Sequence, residues 1–74
     1  MPKYMVIYRT HWDWPLSGPE DQIKTEFFED ATKARNFMVD MLLVWFKKEL
    51  LRDVQMYEYT GIQYVLVERV HVND

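Results

Sequence analysis

The sequence has no cysteine, only two glycines and a single serine, Ser17. The lack of cysteine excludes disulfide bonds, thiolate metal ligands and thiol nucleophiles, and it suits a reducing cytoplasm. We interpret Ser17, which precedes Gly18-Pro19-Glu20, as the cap of a short helical turn rather than as a nucleophile. The sequence therefore predicts a cytoplasmic protein, without a cofactor and without catalytic serine or cysteine.

Long apolar runs and basic clusters are also missing. The longest apolar run, Met41 to Phe46, is far shorter than the roughly 20 residues that a membrane helix needs, and the N-terminus lacks the apolar segment of a signal peptide. No basic cluster exceeds Lys47-Lys48, and the net charge is −3. These features argue against membrane association and against nucleic-acid binding through phosphate neutralisation.

Apolar residues, by contrast, are abundant: 49% of the residues are hydrophobic and 16% are aromatic. A chain of 74 residues forms one domain, 1–74, and buries only about 60% of the surface that its unfolded state exposes. The surplus predicts apolar surface shared with a protein partner or with a second copy in a homodimer.

The segment from Asp30 to Leu51 is predicted to form one helix of about 21 residues. Asp30 is suited to the N-cap position, with Glu29 complementing the helix dipole. Helical spacing defines one core-facing stripe, which comprises Ala34, Phe37, Met38, Met41, Leu42 and Trp45.

A second apolar row on this helix has the spacing of a coiled-coil seam. It consists of Val39, Leu43, Phe46 and Leu50. A helix that packs on one sheet needs only the first stripe. We therefore expect this row to be covered, either by another segment of the chain or by a partner.

Three strands are predicted, at Lys3 to Thr10, Val54 to Thr60 and Ile62 to Val72. Gly61 marks a tight hairpin between the last two strands. The last strand is the longest and most apolar, so we place it in the centre of the sheet. The predicted fold is α+β: β-α-β-β, with a three-stranded antiparallel sheet in the order 2-3-1 packed on one long helix.

The hairpin pattern divides its residues between two faces. One face receives Tyr57, Tyr59, Ile62, Tyr64 and Leu66, and the other receives Val54, Met56, Val65 and Val67. The aliphatic set suits the helix, so we predict an open face of tyrosines that Tyr4 and Tyr8 join. Such a face can bind a protein or stack the bases of a single strand.

The segment from His11 to Lys24 is predicted to be a loop that contains Trp12 and Trp14. Two interpretations of these rings stay open. They can anchor the chain in a partner's pocket, or they can fold back and cover the second row of the helix.

Chemistry-bearing residues do not form a recognisable catalytic or metal motif. His11, Asp13 and His71 offer metal-binding atoms, but their spacing fits no metal motif. The acidic residues that precede the helix are better explained by its dipole than by acid–base catalysis. They are Glu20, Asp21, Glu26, Glu29 and Asp30.

The sequence therefore predicts a non-enzymatic protein–protein interaction module. Its candidate partner-binding residues are Trp12, Trp14, Val39, Leu43, Phe46, Leu50, Tyr57, Tyr59 and Tyr64. One alternative is a small inhibitor or accessory protein of the kind that mobile elements encode, docking on a basic host protein. The other is single-stranded nucleic-acid binding on the tyrosine face.

Overall fold

The structure is a computed structural model that describes residues 1–47 and 50–72, without the side chains of residues 45–47. Within these residues the chain forms four strands and one helix. In chain order the elements are β1 (Tyr4–Trp14), β2 (Gly18–Phe28), α1 (Ala31–Lys47), β3 (Leu51–Tyr59) and β4 (Tyr64–His71).

The strands form one antiparallel sheet in the order β2-β1-β3-β4. The predicted α+β class, with one helix and an antiparallel sheet, is confirmed, but the predicted order of three strands, 2-3-1, is wrong. The segment predicted as a loop, His11 to Lys24, instead extends β1 and builds most of β2. Because β2 adds to one side of β1, β1 and β3 become the central strands and β4 lies at the edge.

A three-residue turn joins β1 and β2. Trp14 pairs with Gly18, and Gly18 has a positive φ of 85°. Three-residue hairpin loops commonly end in such a glycine, because the left-handed backbone region carries no penalty without a Cβ. The predicted helical turn at Ser17-Gly18-Pro19-Glu20 is therefore wrong. Pro19 is tolerated because β2 is an edge strand, where the missing N–H costs no ladder hydrogen bond on the outer side.

The helix α1 begins where the sequence predicts. Oδ1 of Asp30 accepts a hydrogen bond from the backbone N–H of Thr32 at 2.8 Å, which confirms Asp30 as the N-cap. The described part of the helix extends to Lys47, and Leu51, predicted as the last helical residue, instead begins β3. No helix among the described residues has the length and apolar character needed to cross a bilayer.

The core lies between α1 and one face of the sheet. Its buried apolar residues are Val6, Ala34, Met38, Met41, Leu51, Val54, Met56 and Val72. The predicted helix stripe is confirmed at Ala34, Met38 and Met41, while the side chain of Trp45 lies outside the described residues.

Tyr4 and Tyr8 face the helix, which corrects their predicted place on the open face. They alternate with buried Val6 along β1 and pack against the core. The ring of Phe37 lies 5.9 Å from that of Tyr8 and 5.3 Å from that of Phe28, measured between centroids. These tilted contacts form an aromatic part of the core beside the first half of α1.

Met56→Ala tests this core. Met56 is 1% exposed at the centre of the sheet, so truncation should lower the free energy of unfolding by about 2–5 kcal/mol. Leu66→Ala is the matched control, because Leu66 is 48% exposed and should cost about 1 kcal/mol or less. Urea unfolding measures both values, and equal losses would contradict the assignment of the buried face.

Candidate interaction surfaces

The first candidate surface lies between α1 and the edge strand β4. The helix packs mainly on β1, β2 and β3, so the helix-facing side of β4 is left partly open. A groove of about 140 Å³ results, lined by Arg35, Met38, Val39, Leu42, Glu68 and Val70. Its walls are largely aliphatic, and the Arg35 guanidinium contacts the Glu68 carboxylate at 2.6 Å.

Next to this groove, Val39 and Leu43 form an exposed apolar ridge. They lie four residues apart on the helix and are 52% and 61% exposed. Of the two interpretations left open for the tryptophan rings, the one in which they cover this row does not hold for Val39 or Leu43. Leu50 is half-buried beside the start of β3, and the side chain of Phe46 lies outside the described residues.

The two edges of the sheet differ in character. Exposed residues of β2 include the charged side chains of Glu20, Asp21, Lys24 and Glu26, whereas three consecutive residues of β4, at 65–67, are aliphatic and 44–48% exposed. Charged side chains on an edge strand oppose pairing with another chain, and an apolar edge lacks this protection. β2 also exposes Ile23 and Phe27, by 69% and 52%, so the two edges differ in their number of charged side chains and not in the presence of apolar surface.

The second candidate surface is the face of the sheet away from the helix. Tyr57 pairs with Leu66 and Tyr59 with Tyr64, which confirms that these four residues share a face. Ile62 lies in the turn and is 89% exposed. The ring of Tyr64 lies 5.1 Å from that of Tyr59, measured between centroids.

The tyrosine hydroxyls on this face have internal partners. The hydroxyl of Tyr64 donates to the carbonyl oxygen of Pro2 at 2.6 Å, and that of Tyr57 donates to Oε1 of Gln55. Phe27 adds a tilted contact to Tyr64, with 6.4 Å between ring centroids. The rings therefore pack on one another and are half-buried, rather than standing out as separate stacking platforms.

A row of charges crosses the other half of the same face. Arg9 and His11 of β1 contact Asp21 of β2, at 3.1 and 2.6 Å. On the other side of β1, Arg9 is the cross-strand partner of Asp53, whose carboxylate lies 3.3 Å from Arg69 of β4. Charges of alternating sign thus run from one edge of the sheet to the other.

Both aspartates have a lowered pKa. The hydrogen bond from His11 is the main cause at Asp21, where it and the Arg9 contact outweigh desolvation. At Asp53, burial acts to raise the pKa, but the hydrogen bonds from Gln55 and Arg69 and the nearby His71 together hold it below its ordinary value. Asp53 is 6% exposed, so its carboxylate is a buried anion that depends on these partners.

His11, His71 and Ser17 lie in three different parts of the fold, in β1, at the end of β4 and in the β1–β2 turn. His11 and His71 each contact an aspartate, as the catalytic base of a serine hydrolase does. Such a base also needs a serine beside it, and Ser17 lies in the turn between β1 and β2. Among the described residues, no three carboxylate or imidazole side chains converge into a group that could hold a metal ion. His11, Asp13 and His71, whose spacing fits no metal motif in the sequence, are thus not brought together as a group of three.

The charge row also bears on nucleic-acid binding. Arg9 and Arg69 are the arginines of this face, and each already contacts an aspartate. A phosphate would have to compete with Asp21 or Asp53 for either guanidinium. On the described part of this face, these two guanidinium groups are thus engaged by carboxylates, whereas base-stacking sites normally combine aromatic rings with basic side chains that contact phosphate.

The third candidate surface is a two-stranded arm formed by residues 11–21. Pairing between β1 and β3 ends at Thr10, whereas pairing between β1 and β2 continues to Trp14 and Gly18. The rings of Trp12 and Trp14 stack along the arm, with centroids 5.3 Å apart and planes within 5°. Leu16, in the turn, is 100% exposed.

Sequence reasoning missed two residues of these surfaces. Leu16 lies inside the segment that the sequence predicts to be a loop, although the turn residues around it separate two segments of strand character. Asp53 was not singled out, although a lone carboxylate beside an apolar strand is a signal for a buried ion pair.

Asp53→Asn tests the buried charge. Because the pKa of Asp53 in the folded state lies below the ordinary 3.8, its ionised form stabilises the fold above that pH. This contribution disappears as the pH falls through the folded-state pKa. The variant should lose about 1–3 kcal/mol at pH 7, and its stability should fall less than that of the wild type between about pH 5 and pH 2.

Urea unfolding across a pH series measures this effect. Asp40→Asn is the control, because Asp40 is exposed on α1 and the substitution changes the net charge equally. Acid sensitivity of Asp53→Asn equal to that of the wild type would show that other groups carry the low-pH transition.

Comparison with known proteins adds no further assignment to these surfaces. No protein-family model, curated protein or solved structure matches the chain.

Proposed function

We propose that this chain is a non-enzymatic protein–protein interaction module and that its first partner is a second copy of itself. The observation that carries the proposal is the exposed ridge of Val39 and Leu43 beside the groove between α1 and β4. More than half of each ridge side chain faces solvent in the single chain. Burial in a homodimer removes this apolar surface from water.

A ridge next to a groove is self-complementary. In a two-fold symmetric dimer the same patch serves both subunits, so the ridge of each copy can fill the groove of the other. The groove is lined by Met38, Leu42 and Val70, whose aliphatic side chains match the chemistry of the ridge.

At this surface, a second copy requires no charge complementarity. Arg35 and Glu68 of the groove contact each other within one chain, so a partner need not supply a compensating charge. Two copies of a chain with net charge −3 repel one another at long range, and an apolar interface with internally paired charges limits that repulsion.

Leu43→Glu tests this proposal directly. Leu43 is 61% exposed, so the substitution should leave the fold of a single chain intact while placing an unpaired carboxylate in the interface. We expect the wild type to have the mass of a dimer at micromolar concentration. The variant should have the mass of a monomer, with a far-ultraviolet circular dichroism spectrum like that of the wild type.

Light scattering across a concentration series measures these masses. Ile62→Glu is the matched control, because it introduces the same charge at a residue that is 89% exposed in the β3–β4 turn. It should remain dimeric. A wild-type mass of one chain at the highest concentration, or dimers of Leu43→Glu as stable as those of the wild type, would refute the proposed interface.

A further inference from the structure

We propose that the arm of residues 11–21 is a second, separate interaction site, and that it binds an apolar pocket bordered by lysine or arginine side chains on another protein. The ridge and groove lie on the helix side near β4, whereas the arm extends β1 and β2 past the end of their pairing with β3. This site is therefore independent of the dimer interface proposed above.

The arm projects because β1 is longer than its pairing with β3. The backbone N–H of His11 still donates to the carbonyl oxygen of Leu50 at 2.7 Å, and after it three further residues of β1 pair, within the described part of the chain, with β2 alone, which corresponds to roughly 10 Å of strand. The molecule accordingly measures 44 Å along its longest axis but 22 and 17 Å along the others. A projecting ribbon can enter a concave surface that the sheet itself cannot reach.

The two indoles of the arm are held in place before any partner arrives. Nε1 of Trp12 donates to Oγ1 of Thr10 at 3.0 Å, and Nε1 of Trp14 donates to Oε2 of Glu20 at 2.7 Å. Stacking of the two rings further restricts their rotation. Fixed aromatic side chains lose little conformational entropy on binding, which is why such residues are effective anchors.

Apolar surface is concentrated at the outer end of the arm. Trp14 is 41% exposed and Leu16 is fully exposed. An isolated two-stranded ribbon has only marginal stability in water, and exposed apolar side chains at its tip add nothing to that stability. The pair gives a compact apolar end that fits a pocket rather than a flat surface.

The charge of the arm identifies the chemistry of the partner. Residues 11–21 contain three acidic residues, Asp13, Glu20 and Asp21, and no lysine or arginine. Asp21 is already paired with Arg9 and His11, so Asp13 and Glu20 supply the negative charge of the arm, and Glu20 lies beside Trp14, whose Nε1 donates to it. Basic side chains around a receiving pocket would complement this charge and accelerate the encounter, whereas the phosphates of a nucleic acid would be repelled.

A designed peptide serves as the probe. It is a fluorescein-labelled helical hairpin whose two helices enclose a leucine-lined groove bordered by lysine, and its partner peptide carries glutamate in place of lysine. We expect the lysine peptide to bind and the glutamate peptide not to bind, as measured by fluorescence anisotropy. Trp14→Ala and Leu16→Ser should each weaken binding of the lysine peptide at least tenfold.

Charge variants distinguish binding at the arm from attraction of the peptide to the net charge of the whole chain. Glu20→Gln should weaken binding and make it less dependent on salt, whereas Glu29→Gln, which changes the net charge equally outside the arm, should bind as the wild type does. Leu43→Glu should also bind as the wild type does, since it alters only the dimer interface.

Three results would overturn the inference. The first is binding of the lysine peptide that is unchanged in Trp14→Ala and Leu16→Ser. The second is equal weakening by Glu20→Gln and Glu29→Gln, which would reflect net charge alone. The third is Trp14-dependent binding of fluorescein-labelled oligothymidylate in place of the peptide, which would make the arm a base-stacking site.

Discussion

One helix has to cover a sheet of four strands, and most of the structure follows from this mismatch. A helix with its side chains is about 10 Å across, whereas four strands span roughly 14 Å between the outer strand axes. α1 packs over β1, β3 and part of β2, which buries Val6, Val54 and Met56. The helix-facing side of β4 is left partly uncovered, and the groove and the ridge lie next to it.

The same mismatch leaves the opposite face of the sheet without a covering layer. That face is stabilised from within, by tyrosines that pack on one another at one end and by alternating charges at the other. Asp53 connects the two arrangements, because it contacts Arg69 and also accepts a hydrogen bond from Gln55, the partner of the Tyr57 hydroxyl. A face built in this way can remain in water without a partner, which directs the search for interaction sites to the helix side and to the arm.

The sequence predicts the elements whose burial is one-sided and regular. Apolar spacing and the capping residue Asp30 locate the helix, and the ridge follows from the four-residue spacing of Val39 and Leu43. The strand β2 could not be found in this way, because it is an edge strand whose residues remain mostly exposed and polar. Its position depends on backbone hydrogen bonds to β1, and such bonds do not require a particular pattern of apolar residues.

The faces of β1 show a second limit. Both rows of this strand are apolar, so alternation alone could not decide whether Tyr4 and Tyr8 or Met5 and Ile7 face the helix. Pairing with β3 settles the question, since Val6 lies opposite Met56. The arm could not be predicted for a related reason. Trp12 and Trp14 stack because β1 places them on the same face, whereas the sequence predicts a loop for these residues.

The position of β1 between β2 and β3 also sets an order for assembly. Its hairpin with β2 closes through a turn of three residues, whereas its pairing with β3 joins Thr10 to Leu51, about 40 positions apart, and requires the helix in between. Local contacts form faster than distant ones. We therefore expect the two local hairpins, β1–β2 and β3–β4, to form before β1 pairs with β3, and the folding rate to depend on closing that one long loop.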